Sequence, residues 1–337
     1  QELTDKLYKE GLSKGKEEGE AILAKANEKA AEIIEEAKKQ AVKREKRAFQ
    51  KAIQMELREH KSSFLVFSVL RILVIVSLVR QIMLGSYESA FYCALALALL
   101  YVPSWVQVQL RIELPPALEI SVLCFIFAAE ILGEVHAFYV RIPGWDTMLH
   151  TINGFLAAAV GFSLVKLLND SKKITFDLSP FYLSLVAFCF SMTIGVLWEF
   201  FEFSMDWWFG ADMQKDTVIH ALHSVTLDPT ASNKVVTIPD ITEVTVNGQD
   251  LGLGGYLDIG LIDTMKDLFV NFIGAVVFSV GGFFYLKSHG KRQAAIQGFV
   301  PDVKAEDADF LRKARTELAR EEPLPEELPI PDVPSEW

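Results

Sequence analysis

The sequence predicts an all-α membrane protein: a six-transmembrane-helix bundle with a long cytoplasmic N-terminal helix and a small extracytoplasmic β-containing loop. Three observations predict it. Hydrophobic residues make up 51% of the 337 residues and are gathered into long runs, the distribution of a chain that spans a bilayer. The chain ahead of the first run is charged and free of proline, as a solvated helix is. Within the later runs, acidic and imidazole side chains recur at three- and four-residue spacing, which puts them on single helical faces.

Residues 1–62 read as one charged cytoplasmic helix with coiled-coil character. Ala30, Ala41 and Ala52 recur at eleven residues, as do Ala26, Ala37 and Ala48, a period that favours a right-handed supercoil. Gly11, Gly15 and Gly19 form a four-residue ladder that lets another helix approach closely. The run AKANEKAAEIIEEAKKQA resembles the peripheral-stalk helices of rotary ATPases and the glycine-repeat segment of flagellar export stalks, which implies self-association or a partner through this helix. The sequence begins at Gln1 without an early apolar run, so no signal peptide is expected.

Residues 63–287 hold the membrane domain, with spans expected at 64–84, 89–106, 116–138, 147–168, 181–205 and 264–286, each near the ~20 residues that cross ~30 Å of hydrocarbon. An even number of crossings puts both termini on one side. The first 63 residues carry 15 Lys/Arg, and Lys172, Lys173, Lys287, Lys291 and Arg292 follow the even-numbered spans, so that side is cytoplasmic. The expected location is a membrane, with both termini cytoplasmic. Residues 208–261 then form an extracytoplasmic loop, in which Val235–Ile238 and Glu243–Val246 alternate and Asn247-Gly248 signals a hairpin turn. Trp145, Trp207 and Trp208 sit where an interfacial aromatic belt is expected. Residues 288–337 are expected as a cytoplasmic acidic, proline-rich tail, extended where it ends in EEPLPEELPIPDVPSEW. Residues 301–337 carry 11 Asp/Glu against 5 Lys/Arg, against a net charge of -11 for the whole chain, so nothing suggests a nucleic-acid partner. Cys93, Cys124 and Cys189 lie in apolar runs and indicate neither a disulfide framework nor a thiolate metal site.

With this topology the ionisable residues of several spans converge on the outer leaflet. The fifth span brings Glu199, Glu202 and Asp206; the fourth, Asp146, His150 and Asn153; the sixth, Asp263, Asp267 and Asn271; the third, Glu130, Glu134 and His136; and the first, Arg80. Each ionisable group in hydrocarbon costs at least a few kcal/mol unless it faces a partner or a cavity, so a shared polar site is expected at Asp146, His150, Glu199, Glu202, Asp263 and Asp267. A hydrogen-bond network that locks the helices together would use the same residues.

The blocks GWDTMLHTINGF, GVLWEFFEF and DTMKDLFVNFIGA resemble those of YjdF-like bacterial membrane proteins and, more distantly, VanZ-like proteins, over residues 64–287. The pattern maps onto Asp146 and His150, Glu199 and Glu202, and Asp263, Asp267, Asn271 and Gly274. VanZ-like proteins show a Gln where this chain has Glu202, and the Arg before their last helix has no clear equivalent here, so the YjdF-like branch fits better. The resemblance implies a cell-envelope context and brings no settled reaction with it.

Carboxylates and imidazole without thiolates form a hard-ligand set suited to Zn, Mg, Mn, Ca or Fe. Asp146, His150, Glu199, Glu202, Asp263 and Asp267 are the expected metal ligands, and His150, Glu199 and Glu202 the expected catalytic groups, acting on a lipid-linked substrate or envelope precursor. A proton- or cation-coupled transporter and a membrane anchor for the N-terminal helix are the alternatives. Asp216, His220 and His223, at spacings of four and three, suggest a second cluster if that part of the loop is helical.

Overall fold

A computed structural model describes residues 2–169, 178–288, 294–304 and 308–321. Lys172, Lys173, Lys291, Arg292 and the proline-rich end of the sequence reading lie outside the described residues. The chain forms two compact units, one of which runs His60–Lys304. The other begins with α1 (Glu2–Glu59), 58 residues of uninterrupted helix, about 87 Å at 1.5 Å per residue.

The second unit opens with α2 (Lys61–Met83), α3 (Tyr87–Leu99) and α4 (Val102–Leu110). A two-residue strand follows, β1 (Ile112–Glu113), then α5 (Pro116–Ile126). Among the described residues five stretches are long and apolar enough to cross a bilayer: Lys61–Met83, Tyr87–Leu110, Trp145–Asn169, Pro180–Phe209 and Leu261–Lys287. The stretch expected as the third span, 116–138, is not one α-helix. After α5 it winds into a π-helix over Phe127–Val135, and Ala137 breaks it with a left-handed backbone at φ 58°. Gly133 explains the close packing at this break, because the ring of Tyr139 lies 2.3 Å from where a Cβ would stand. A short α6 (Phe138–Arg141) leads into α7 (Trp145–Asn169).

Next comes α8 (Pro180–Phe209), started by Pro180 and by the Ser179 side chain, which accepts from Tyr182 N at 3.3 Å, the ordinary signature of a helix N-terminus. Six short strands follow: β2 (Thr217–Ile219), β3 (Leu222–Ser224), β4 (Val236–Ile238), β5 (Thr245–Val246), β6 (Gln249–Asp250) and β7 (Tyr256–Asp258). They pair antiparallel as β2 with β7, β3 with β4 and β5 with β6. Asn247 and Gly248 both take positive φ, 52° and 81°, the two-residue turn that matches strand twist. The last long helix is α9 (Leu261–Lys287), followed by α10 (Ala294–Gln297) and β8 (Asp302–Val303).

The centre of this unit is the trio α7, α8 and α9. Glycines set the spacing: a Cβ on Gly154 of α7 would lie 2.1 Å from Asn271 O, and one on Gly274 of α9 would lie 2.1 Å from Thr151 O. Backbone therefore meets backbone, the close approach that small residues permit between membrane helices. Towards the Asn169 end of α7 the trio is filled by Ala158, Phe162, Leu183, Ala187, Ala275 and Phe278. At that same end β1 pairs with β8, Leu118 N donates to Gly298 O at 3.2 Å, and Lys166 Nζ meets Asp302 Oδ1 at 3.2 Å.

In the first unit, α11 (Phe310–Glu321) packs on the C-terminal part of α1. This part of the acidic tail is helical because it has a one-sided apolar face: Leu311 and Ala314 are buried, as are Ala48 and Ala52 of α1. Lys51 Nζ reaches Glu317 at 2.9 Å and Glu321 at 3.1 Å, and Arg315 Nε donates to Glu45 at 3.1 Å.

Candidate functional site

Three helices each bring a polar face to one level of the bundle. On α7 the four-residue spacing stacks Asp146, His150 and, one residue short of the next turn, Asn153. On α9 it stacks Asp263, Asp267 and Asn271, all buried. α8 contributes Glu199 and Glu202, also buried.

His150 is the hub. Its Nε2 lies 3.5 Å from Asp146 Oδ1 and 3.9 Å from Asp267 Oδ2, while Nδ1 lies 4.0 Å from Glu199 Oε1. The ligand atoms of Asp146, His150 and Asp267 all fall within 4.8 Å of one another. Access is graded: the Asp146 side chain is 26% exposed, that of His150 11%, that of Asp267 1%, so the site opens past Asp146. Glu199 Oε2 and Asp267 Oδ1 are buried and accept no hydrogen bond among the described residues. Buried carboxylate oxygens in that condition are costly unless a cation, a proton or water meets them.

Beneath this level an amide joins the helices. Asn271 Oδ1 accepts from Asn153 Nδ2 at 3.3 Å, its Nδ2 donates to Ser191 O at 3.4 Å, and Ser191 Oγ donates to Gly154 O at 2.7 Å. Gly195 makes room for it, since a Cβ there would lie 2.7 Å from Asn271 Nδ2.

Above it, the start of the long loop is fastened down. Asp206 accepts from Met213 N at 2.6 Å and Gln214 N at 2.8 Å, Gln214 Nε2 donates to Thr264 Oγ1 at 2.6 Å, and Asp263 accepts from Lys215 N at 2.8 Å.

Of the residues singled out in the sequence, Asp146, His150, Asp267 and Glu199 gather around one imidazole. Glu202 turns to Trp198, whose Nε1 donates to it at 2.7 Å, and Asp263 is held by the loop backbone. Glu130 and Glu134 lie on the π-helix. Asp216, His220 and His223 do not share a helix face, because no helix forms there: His220, at a bend between β2 and β3, has Nδ1 3.2 Å from Ile241 O, and His223 Nδ1 sits 2.9 Å from Thr237 Oγ1 across the β3–β4 pair. Sequence reasoning missed Ser191, Gln214 and Thr264. Only Ser191, one helical turn before Gly195, lay where spacing could have pointed to it.

Residues 64–288 match a family described as "Predicted membrane protein (DUF2238)", which is the YjdF-like family. The chain belongs to that family. The matched segment excludes α1 and α11. Neither a curated protein nor a solved structure matches the chain.

Proposed function

We propose that this member of the DUF2238 family is a six-crossing bacterial membrane protein whose α7–α9 site binds a divalent cation from the outer leaflet and uses it on a phosphate- or ester-bearing lipid or envelope precursor. The observation that carries the reading is the imidazole of His150, with a carboxylate oxygen of Asp146 and one of Asp267 at 3.5 and 3.9 Å from one nitrogen and Glu199 at 4.0 Å from the other.

The donor set fits such an ion. Ligand atoms around a tetrahedral zinc are about 3.4 Å apart, from bonds of about 2.1 Å, and the two Nε2–oxygen separations need only a few tenths of an ångström of contraction. On this reading Asp146, His150 and Asp267 are the ligands. Glu199 stands beyond them, accepting the Nδ1 proton so that Nε2 is free to ligate, the usual outer arrangement of a metal-bound histidine. Glu202 and Asp263, expected as ligands from the sequence, serve instead to brace α8 and the loop. The cation, when bound, supplies Lewis acidity and an acidified water. The chain's own part is to hold the ligands rigidly, to exclude bulk water with the Met213–Lys215 segment, and to leave an opening past Asp146.

Six crossings are supported by what meets at the Lys166 end. β1, between α4 and α5, pairs with β8, beyond α9. If α5 and its π-helix did not cross, those strands would emerge on opposite faces of the membrane. Together they give 20 helical residues, near the ~20 that a bilayer crossing needs. Both termini are then on one side, cytoplasmic by the lysine and arginine distribution. A through-path for ions is disfavoured by the apolar plug of Phe162, Leu183, Ala187 and Phe278 beneath the site.

Elemental analysis of the purified protein tests the reading. About one divalent ion per chain is expected, lost in His150→Ala and Asp267→Asn, and held roughly 10- to 100-fold more weakly in Glu199→Gln. Equal, substoichiometric metal in all four proteins would leave only a structural network.

A further inference from the structure

We infer that α1 is one strand of a parallel, in-register pair formed with a second copy of this chain, with the seam running from about Leu12 to Ala41. The inference stands apart from the membrane site and rests on two observations within the first unit and on the continuation of α1 into α2.

The stripe has an eleven-residue order that includes large residues as well as small ones. Leu12, Leu23 and Ile34 are spaced by eleven; Gly15, Ala26, Ala37 and Ala48 follow each by three, and Gly19, Ala30, Ala41 and Ala52 by seven. Successive sets keep to one face of a helix at 3.67 residues per turn, the repeat of a right-handed coiled coil. Ile22 and Ile33 flank the same face.

The stripe is also half used. At its C-terminal end Ala48 and Ala52 are 1% and 0% exposed, because α11 lies on them. The position that continues the Leu12–Leu23–Ile34 series is Glu45, and it is answered by Arg315 of α11. The face thus accepts a parallel helix where it is occupied: Glu45 pairs with Arg315, and Lys51, further along α1, with Glu317 and Glu321, further along α11. Ahead of that point no described residue covers it. Leu12, Leu23 and Ile34 are 64%, 65% and 55% exposed, and none of the described residues comes within 4 Å of where a Cβ on Gly15 or Gly19 would stand. Glycine weakens a helix interior; here no described residue makes use of the close approach it allows.

A second copy is the occupant that this geometry fits. α1 leads within two residues into α2, an apolar helix long enough to cross a membrane. Two copies inserted in the same sense root the C-terminal ends of their α1 helices at the same face, and a pair joined by those ends along its length runs parallel. A parallel in-register pair meets Leu12 with Leu12, Ala26 with Ala26 and Ile34 with Ile34, and its seam ends where α11 takes over the stripe.

Disulfide trapping in the full-length protein tests this. On a background with Cys93, Cys124 and Cys189 changed to Ser, membranes carrying Ala26→Cys or Ala37→Cys are oxidised. Covalent dimers are expected at both positions, since seam residues of such a pair bring their Cα atoms within the ~4.4–6.8 Å that a disulfide spans. Glu28→Cys and Glu32→Cys, on the opposite face, should give at least tenfold less. Adding Ala30→Lys to the Ala26→Cys protein should abolish the dimer band, while the particle containing wild-type chain weighs as two copies in light scattering. Equal cross-linking on both faces, or a monomeric particle with no seam cross-link, would overturn the inference; an antiparallel pair, seen as cross-links between positions 15 and 37 instead, would overturn it too.

Discussion

Replacing Gly274 by Ala puts a methyl group 2.1 Å from Thr151 O and 2.8 Å from Phe155 N, where 3.4 Å is ordinary contact. Both neighbours are backbone of α7, so no side chain can swing away. α9 must retreat by about 1.3 Å. Overpacking of this kind costs about 1–3 kcal/mol, roughly a 5- to 150-fold loss in the folding equilibrium. The same retreat acts two turns away at Asp267, whose Oδ2 is 3.9 Å from His150 Nε2. A separation near 5 Å exceeds what one small cation can bridge with bonds of about 2.1 Å to both atoms. Gly274→Ala should therefore lower the unfolding temperature in detergent and weaken cation binding at least tenfold. Gly154→Ala, which pushes on Asn271 O from the other side, should do the same. Thermal unfolding followed by tryptophan fluorescence, with metal titration of the surviving folded protein, measures both effects. Wild-type stability and binding in both variants would refute the claim that backbone contact between α7 and α9 sets the site.

Asn271→Leu should cost about 1–3 kcal/mol in the same unfolding assay, because Asn153 and the Ser191 carbonyl lose a buried partner; an unchanged midpoint would remove the amide from the account. In the first unit, the Arg315 guanidinium bonded to Glu45 holds that carboxyl below its usual range. A depressed folded value contributes stability above the unfolded value of about 4.3 that is lost as pH falls through the folded value, and because the pair is largely exposed the coupling is only about 0.2–1 kcal/mol. Hydrogen exchange of α11 amides should accelerate below about pH 4 in wild type and lose that pH step in Glu45→Gln, and a pH step that survives the substitution would assign it to another group. Labelling of Ser232→Cys by an impermeant maleimide should occur in intact cells, and labelling only after lysis would reverse the topology.

The sequence carried the site more clearly than the fold around it. Asp146, His150, Glu199 and Asp267 stood out because an acid in an apolar run is expensive, and a four-residue spacing fixes its face without knowledge of the partners. The π-helix at Phe127–Val135 left no such trace, since no periodic pattern in 116–138 marks the altered winding, and the close approach of Tyr139 to Gly133 beside it is a contact that only the folded chain makes. Spacing misled at Asp216, His220 and His223, where pairing with Tyr256–Asp258 and Val236–Ile238 makes strands of a segment whose intervals look helical. Helix α11 was hidden by charge: its apolar face is narrow, and the part of α1 that it covers is one of small residues, Ala48 and Ala52. Gln214 and Thr264 could not have been linked in advance, because they are brought together across fifty residues of chain.

An experimental structure collected at the absorption edge of the bound metal tests the central claim most directly. The account predicts one anomalous peak per chain, about 2.0–2.3 Å from His150 Nε2 and from carboxylate oxygens of Asp146 and Asp267, with Glu199 drawn to within hydrogen-bond distance of Nδ1. Ordered water alone between these four side chains, with no anomalous signal in protein supplied with excess metal, would contradict it.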